Sequence, residues 1–440
     1  MKNKNILRDH IGFAIFLFLL LICPKIPIHL GGGSEKSSIS LGFMGYIIWF
    51  LMCPSYLFKF HKKKNILPFF FLIFFAFYVF LISLLSENLI SIIYALQFLF
   101  YIVFGSLFLN EYLLRSEMNN SMVISFKILF SIIIIYTIGV IISVFTGPFY
   151  PHQTIFTFRL WGYMWIQQGV GFSESQNMAA EVLIIFTAAF IYLYQANKFK
   201  KVILICLSLC ALVLTLSRGA IVAFSIAIIV LSFIELIRII FQRKIIKKIL
   251  FNIVYFSSGV FLILTISALF LYFINKPLLI AVLSGFGLGE NASFIIDLNT
   301  RLNLWVGGLD KLSTESIFSL IFGGGFCSSM GIATDTGAWL TFHNLFVTIL
   351  IEFGFVGFII FISFLLIIFL EYLNVILTER DIDISLSARF GFISVLGITI
   401  HNFIGEFLYS PVSISVFILA ILLSFNRLNV SNIFNRGNKK

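Results

Sequence analysis

The sequence predicts an all-α polytopic membrane protein of about twelve transmembrane helices, with both termini on the cytoplasmic side and two long external loops. Three observations predict it. The chain of 440 residues is 60% hydrophobic and 11% charged, with a mean hydropathy of +1.07. A soluble domain carries roughly 25% charged residues. Its apolar runs repeatedly reach the length of about 20 residues that a helix needs to cross a hydrocarbon core. Its basic residues fall mostly on one side of those runs.

Taken in order, the runs place spans at 10–29, 39–58, 66–86, 89–109, 122–145, 177–195, 202–217, 219–240, 249–274, 343–370, 388–408 and 411–426. Met1 to Arg8 is basic, and Cys23-Pro24-Lys25 lacks the small-residue pattern of a cleavage site, so the first run is read as an uncleaved span. Residues 202–240 are almost continuously apolar, interrupted at Ser217-Arg218-Gly219. As one helix they would extend about 58 Å, twice the core thickness. They are therefore two spans joined by a tight turn that carries Arg218. The 56 phenylalanines fill spans as readily through codon bias as through physical need, and no function is drawn from them.

With the N-terminus inside, seven of the 30 Lys and Arg residues lie outside (Lys25, Lys36, Arg159, Arg218, Lys276, Arg301, Lys311) and the other 23 inside. That is the positive-inside bias. The formal charge of +11 is therefore mostly a topology signal, and nucleic acid is not needed to explain it. The chain divides into spans one to five (1–145), a first long loop (146–176), spans six to nine (177–274), a larger loop (275–342), spans ten to twelve (343–426) and a tail (427–440). Loops beyond about 15 residues are usually functional or disordered. Within the larger one, Leu302, Trp305, Leu309 and Leu312 recur at helical spacing behind Thr300, which predicts a short amphipathic helix at the outer leaflet.

Chemistry is concentrated outside. His343 stands at the mouth of span ten, with Asn344 beside it and Glu352 nine residues on. At 100° per residue, His343, Val347, Leu350, Gly354 and Gly357 share a face on which the glycines admit a close neighbour. Glu352 lies half a turn away and about 13 Å deeper. His343 and Glu352 are not a pair. Glu352 reads either as a hydrogen-bonded structural carboxylate or as a functional group inside the membrane. His343 reads either as an interfacial imidazole bonded to loop backbone or as a general base towards a sugar hydroxyl.

Arg159, Arg218 and Arg301 are the external arginines, and Arg218 is wedged between two apolar spans. Their alternatives are bonding to loop carbonyls or bidentate recognition of a phosphate or diphosphate. The aromatics around His152 and Arg159 suit an interfacial belt or stacking on sugar rings. His401 and Glu406 are secondary candidates, pointing about 140° apart. The outside acids show no paired spacing for a metal, Gly285–Glu290 lacks the strand that a phosphate-cradling glycine loop follows, and the five cysteines show no CxxC.

Five stretches, "ESQNMAAEVL" (174–183), "LSRGAIVAF" (216–224), "RLNLWVGGL" (301–309), "IFGGGF" (321–326) and "HNLFVTILIEFGFVGF" (343–358), together resemble the O-antigen polymerase and O-antigen ligase superfamily, in its order and topology. The resemblance covers roughly the second half of the chain. It implies a metal-independent glycosyltransferase without cofactor, multi-pass in the bacterial inner membrane, with its long loops periplasmic. The implied donor is an undecaprenyl-diphosphate-linked oligosaccharide, and a chain-length regulator protein is a conceivable partner. By the resemblance, Arg218 and Arg301 hold the leaving diphosphate and His343 orients or deprotonates the acceptor. Arg159, Asn344, Trp305 and Glu352 are the accompanying substrate-binding candidates. Polymerase is preferred to ligase, and capsule, exopolysaccharide and O-antigen polymerases are inseparable by sequence. The rival from another class is a flippase for lipid-linked oligosaccharides. Twelve spans suit it, but spans nearly free of charge do not.

Overall fold

The computed structural model describes residues 2–22, 25–28, 37–53, 67–86, 88–118, 121–147, 149, 157–160, 164–167, 169, 171–173, 175–195, 197–241, 304–308, 310, 314–328, 344–403 and 410–425. His343, Arg301, Glu406, His152, the ninth predicted span and the C-terminal tail lie outside the described residues.

Helices dominate. In chain order they are α1 (Lys2–Ile22), α2 (Leu41–Met52), α3 (Leu67–Leu85), α4 (Leu89–Met118), α5 (Met122–Thr146), α6 (Gln176–Tyr192), α7 (Lys198–Leu214), α8 (Arg218–Phe241), α9 (Ile317–Phe322), α10 (Leu345–Thr378), α11 (Ile382–His401) and α12 (Pro411–Phe425). Among the described residues, stretches of α3, α4, α5, α8, α10 and α11 are long and apolar enough to cross a membrane, and α6 and α12 are shorter apolar helices. Polar caps set several starts. Ser175 accepts from Met178 N, Asn197 from Phe199 N and Lys200 N, Asn344 from Phe346 N and Val347 N, and Asp381 from Asp383 N and Ile384 N. Each cap satisfies donors that the first helical turn leaves without partners.

The packing fits lipid rather than water as solvent. Phe70, Phe74, Leu81, Ile229, Phe233 and Leu366 are exposed large apolar side chains on these helices, as expected where the surroundings are hydrocarbon. α6 occupies the opposite environment. Every residue from Met178 to Phe190 is buried, because α5, α7, α8, α11 and α12 all pack on it. A helix that is apolar all round belongs in such a central position. α7 is peripheral, burying Ser208, Ala211 and Leu212. In the first half, aromatic rings fill the interior: Phe13 stacks on Tyr112 at 4.3 Å between centroids and Phe16 on Trp49 at 5.4 Å.

Several boundaries differ from the sequence expectation. α1 ends at Ile22, ahead of Pro24, and residues 25–28 form β1 (Lys25–Ile28), antiparallel to β2 (Ser37–Ser40). The residue before a proline is biased away from helix, which stops the first run early. A second ribbon, β3 (Thr157–Leu160) with β4 (Met164–Gln167), lies in the first long loop. These short ribbons are additions to the helical architecture. α4 runs past the expected residue 109 to Met118, where Arg115 is paired with Glu111 at 2.7 Å. α11 starts at Ile382 behind the Asp381 cap, six residues before the expected 388, and ends at His401.

Candidate functional site

The predicted break in the 202–240 run is the turn Thr215–Ser217. α7 ends at Leu214 and α8 begins with Arg218. Thr215 Oγ1 donates to Leu212 O at 2.7 Å and accepts from Ser217 N at 3.3 Å. Leu216 sits in the left-handed region at φ 56°. A leucine there costs on the order of 1–2 kcal/mol, so surrounding contacts must hold it. Ser217 O then receives Ala220 N at 3.1 Å and Ile221 N at 3.2 Å, opening α8. Arg218, on the first helical residue, is half-buried.

The contacts holding this turn come from the side chain of Ser217. It donates to Asn177 Oδ1 on α6 at 3.0 Å, and its oxygen lies 3.3 Å from His401 Nε2 at the end of α11. His401 Nδ1 is 3.2 Å from Glu181 Oε1, one helical turn beyond Asn177. Asn402 Nδ2 donates to the same oxygen at 3.2 Å, and Ser413 at the start of α12 donates to Oε2 in a short hydrogen bond. Glu181 is 3% exposed, and His401 and Asn402 are 0% exposed. A carboxylate so far from water is tolerable because several polar hydrogens converge on it.

The same network reaches the mouth of α10. Asn402 O accepts from Leu345 N at 2.9 Å, and Asn344 caps the helix while itself buried. Five helix termini (the starts of α6, α8, α10 and α12 and the end of α11) therefore meet in one polar cluster. It lies at the end of the bundle that the charge bias puts outside. The first long loop arrives there too: Gly169 N donates to Leu214 O at 2.8 Å, just ahead of the turn. Gly169 follows the β3–β4 ribbon, in which Arg159 stands opposite Trp165.

Farther along α10 the helix breaks. Gly354 has φ 63° and ψ −172°, so the face shared by Val347, Leu350, Gly354 and Gly357 on paper ends at the break. The expectation that those glycines seat a neighbouring helix holds at Gly357, where Tyr78 of α3 comes close, and is corrected at Gly354. What comes close there is backbone, from the end of α9 and the Gly323–Gly325 run. A Cβ on Gly354 would collide with Ile321 O, and one on Gly323 with Glu352 O. Carbonyls at the break need outside donors. Gly325 N donates to Glu352 O at 2.9 Å, and Tyr78 of α3 donates to Phe353 O at 2.8 Å and to Phe322 O at 2.9 Å. Phe326 N donates to Ser83 Oγ at 2.9 Å, completing the dock of this loop on α3. Glu352 is 0% exposed beside it. Residues 304–308 are helical, and Leu304 and Trp305 pack with Leu320, Val347 and Leu350 around Ile351. This short helical stretch therefore packs on α10.

Of the predicted site residues, Arg218 and Asn344 are the chain neighbours of Ser217 and Leu345, which the cluster holds, Trp305 packs on the next stretch of α10, to which Glu352 belongs, and Arg159 sits on the ribbon before Gly169. The sequence places His401 and Glu406 about 140° apart, as secondary candidates and not as a pair. The carboxylate beside His401 in the structure is Glu181. Glu181, Asn177, Ser217, Asn402 and Ser413 were not selected from sequence. The signal for Glu181 was present, since a carboxylate follows Asn177 by four residues inside an apolar run. Its partners lie more than 200 residues away, at positions 401, 402 and 413. Among the described residues, no group of three His, Cys, Asp or Glu is placed to hold a metal ion.

Residues 202–362 match a family model described as O-Antigen ligase. No curated protein matches the chain. The matched segment includes the α7–α8 turn, the Gly323–Gly325 run, the mouth of α10 and its break. Over residues 202–362 this multi-pass membrane protein is thus similar to the O-antigen ligase family, which supports the resemblance to the O-antigen polymerase and ligase superfamily.

Proposed function

We propose that the protein is a surface-polysaccharide polymerase, an inner-membrane glycosyltransferase that joins undecaprenyl-diphosphate-linked repeat units at the periplasmic face. The observation carrying this reading is the cluster that ties the Arg218 turn to the α10 mouth, where Asn344 follows His343. In the reaction, an acceptor sugar hydroxyl attacks the anomeric carbon of the donor glycan. The bond from that carbon to the phosphate oxygen breaks, and undecaprenyl diphosphate leaves with the electron pair. Arg218 and Arg301 neutralise the diphosphate as charge builds on it, a contribution that is large in a poorly hydrated site. His343 takes the hydroxyl proton. Trp305 and Arg159 border the sugars, Asn344 fixes the backbone that carries His343, and Glu352 supports the stretch of α10 below. No metal or cofactor enters the scheme.

The second reading is a ligase that transfers finished glycan to lipid A-core, and the description of the matched family favours it. Deleting the gene in the native strain and separating surface glycan on a silver-stained gel tells the two apart. A core bearing a single repeat unit in place of a ladder identifies a polymerase. A bare core with accumulated lipid-linked polymer identifies a ligase. An unchanged glycan removes both and returns the flippase. Complementation with His343→Ala and Arg301→Ala at normal protein levels then tests the residues. A normal ladder from either variant would refute its assigned role.

A further inference from the structure

We infer that Glu181 and His401 are positioning residues, which fix the α7–α8 turn and the α10 mouth in one mutual geometry. The functional part of this inference rests on the reading of Arg218 and His343 above. Four observations lead to it. First, Glu181 lies at a branch: through His401 it reaches Ser217, the residue before Arg218, and through Asn402 it reaches Leu345 N, two residues after His343. Second, the anchored turn contains Leu216 at φ 56°, a conformation that leucine does not keep unless its surroundings impose it. Third, the cluster is sealed, with Glu181, Ser217, His401, Asn402 and Ser413 all buried, so water does not substitute for a lost partner. Fourth, Glu181, His401, Asn402 and Ser413 all fall outside the matched segment 202–362, while both places they hold lie inside it. The flanking helices α6, α11 and α12 thus act as a frame for two separated pieces of that segment.

A general stabilising cluster and a positioning one differ in what the folded protein does after one bond is lost. The full chain in lipid nanodiscs serves for both measurements. Hydrogen exchange is followed in peptides covering 214–222 and 345–350, with α3 as internal reference. His401→Phe, which keeps an aromatic ring but removes both nitrogens, is expected to raise exchange at least tenfold in 214–222, and Glu181→Leu, which removes the acceptor at the branch, to do so in both peptides, each leaving α3 unchanged. Ser217→Ala, a milder variant that keeps the fold, is expected to raise exchange in 214–222 alone. Glu181→Gln keeps an acceptor for His401 and Asn402 and is expected to hold both peptides within about threefold of the wild type. Equal rises everywhere, or a rise in one peptide only with Glu181→Leu, would overturn the inference.

Binding of undecaprenyl diphosphate to the same samples separates this failure from that of the functional reading. Arg218→Ala and His401→Phe are both expected to bind at least tenfold more weakly. If Arg218→Ala binds like the wild type, the diphosphate role is wrong, while the exchange result still decides the coupling. If Arg218→Ala loses binding and folded His401→Phe retains it, the cluster does not position the site and the inference falls.

Discussion

α8 and α11 pack along their length and are tied at both ends, with opposite chemistry. At the end the charge bias puts inside, Arg389 Nε meets Glu235 Oε1 at 2.7 Å and Arg238 stands 3.8 Å from the same carboxylate. Arg238 also donates to Ser385 Oγ at 3.2 Å and to Glu379 O at 2.6 Å. These charged side chains keep 13–23% of their surface exposed. At the other end a single carboxylate, Glu181, is surrounded by an imidazole, an amide and a hydroxyl, with His401 and Asn402 sealed from solvent. The inner tie uses permanent charges that water can still reach, so each partner has an alternative if the other is lost. The outer tie is sealed from water, so a lost partner there is not replaced by solvent. Charge count is therefore a poor guide to which end matters: the end with fewer charges is the more demanding one.

The largest expected effect follows from that asymmetry. Glu181→Leu leaves the donors of His401, Asn402 and Ser413 buried without their acceptor, and a loss of about 3–5 kcal/mol is expected. Arg389→Leu at the inner end is expected to lose about 1 kcal/mol or less, because Glu235 is partly hydrated and keeps Arg238. Thermal unfolding in detergent measures both. Comparable losses would abolish the contrast between the two ends.

Next in size is Gly354→Ala, which removes neither tie. It puts a side chain at φ 63° against Ile321 O, and about 1–3 kcal/mol is expected from the backbone conformation alone. A wild-type melting temperature would mean that the break in α10 is not a fixed feature. Ser217→Ala removes one bond arm of the outer tie. Side-chain hydrogen bonds inside membranes average about 0.6 kcal/mol and reach roughly 1.7. A loss in that range is expected, with a much larger drop in glycan output than the stability change explains. Proportionate losses of both would reduce the outer tie to plain stabilisation. Smallest is the Glu235–Arg389 coupling in a double-mutant cycle, expected below about 1 kcal/mol and weakened by added salt. A larger, salt-insensitive value would make the inner tie the equal of the outer one.

How far the sequence reached depended on the range of the interaction. A break in the 202–240 run was legible, since no single helix of 39 residues fits a bilayer, although it was expected at 217–219 and falls at 215–217, with Arg218 already in the helix. Trp305 was expected on a short helix and residues 304–308 are helical, but its seat on α10 needed the fold. The break at Gly354 was missed because glycine inside an apolar run reads equally as a packing notch. The tie between Glu181 and His401 was missed for a different reason. Periodicity relates residues within one helix, and these stand 220 positions apart on helices that meet only in the bundle.

By itself, the sequence determined the solvent and the helical class. Those follow from transfer energies summed residue by residue, and such sums need no partner. The tertiary structure decided which buried polar group satisfies which, where α10 breaks, and that the Arg218 turn and the α10 mouth share one anchor. Those depend on geometry between distant segments, because a buried hydrogen-bonding group takes its energy from where its partner stands.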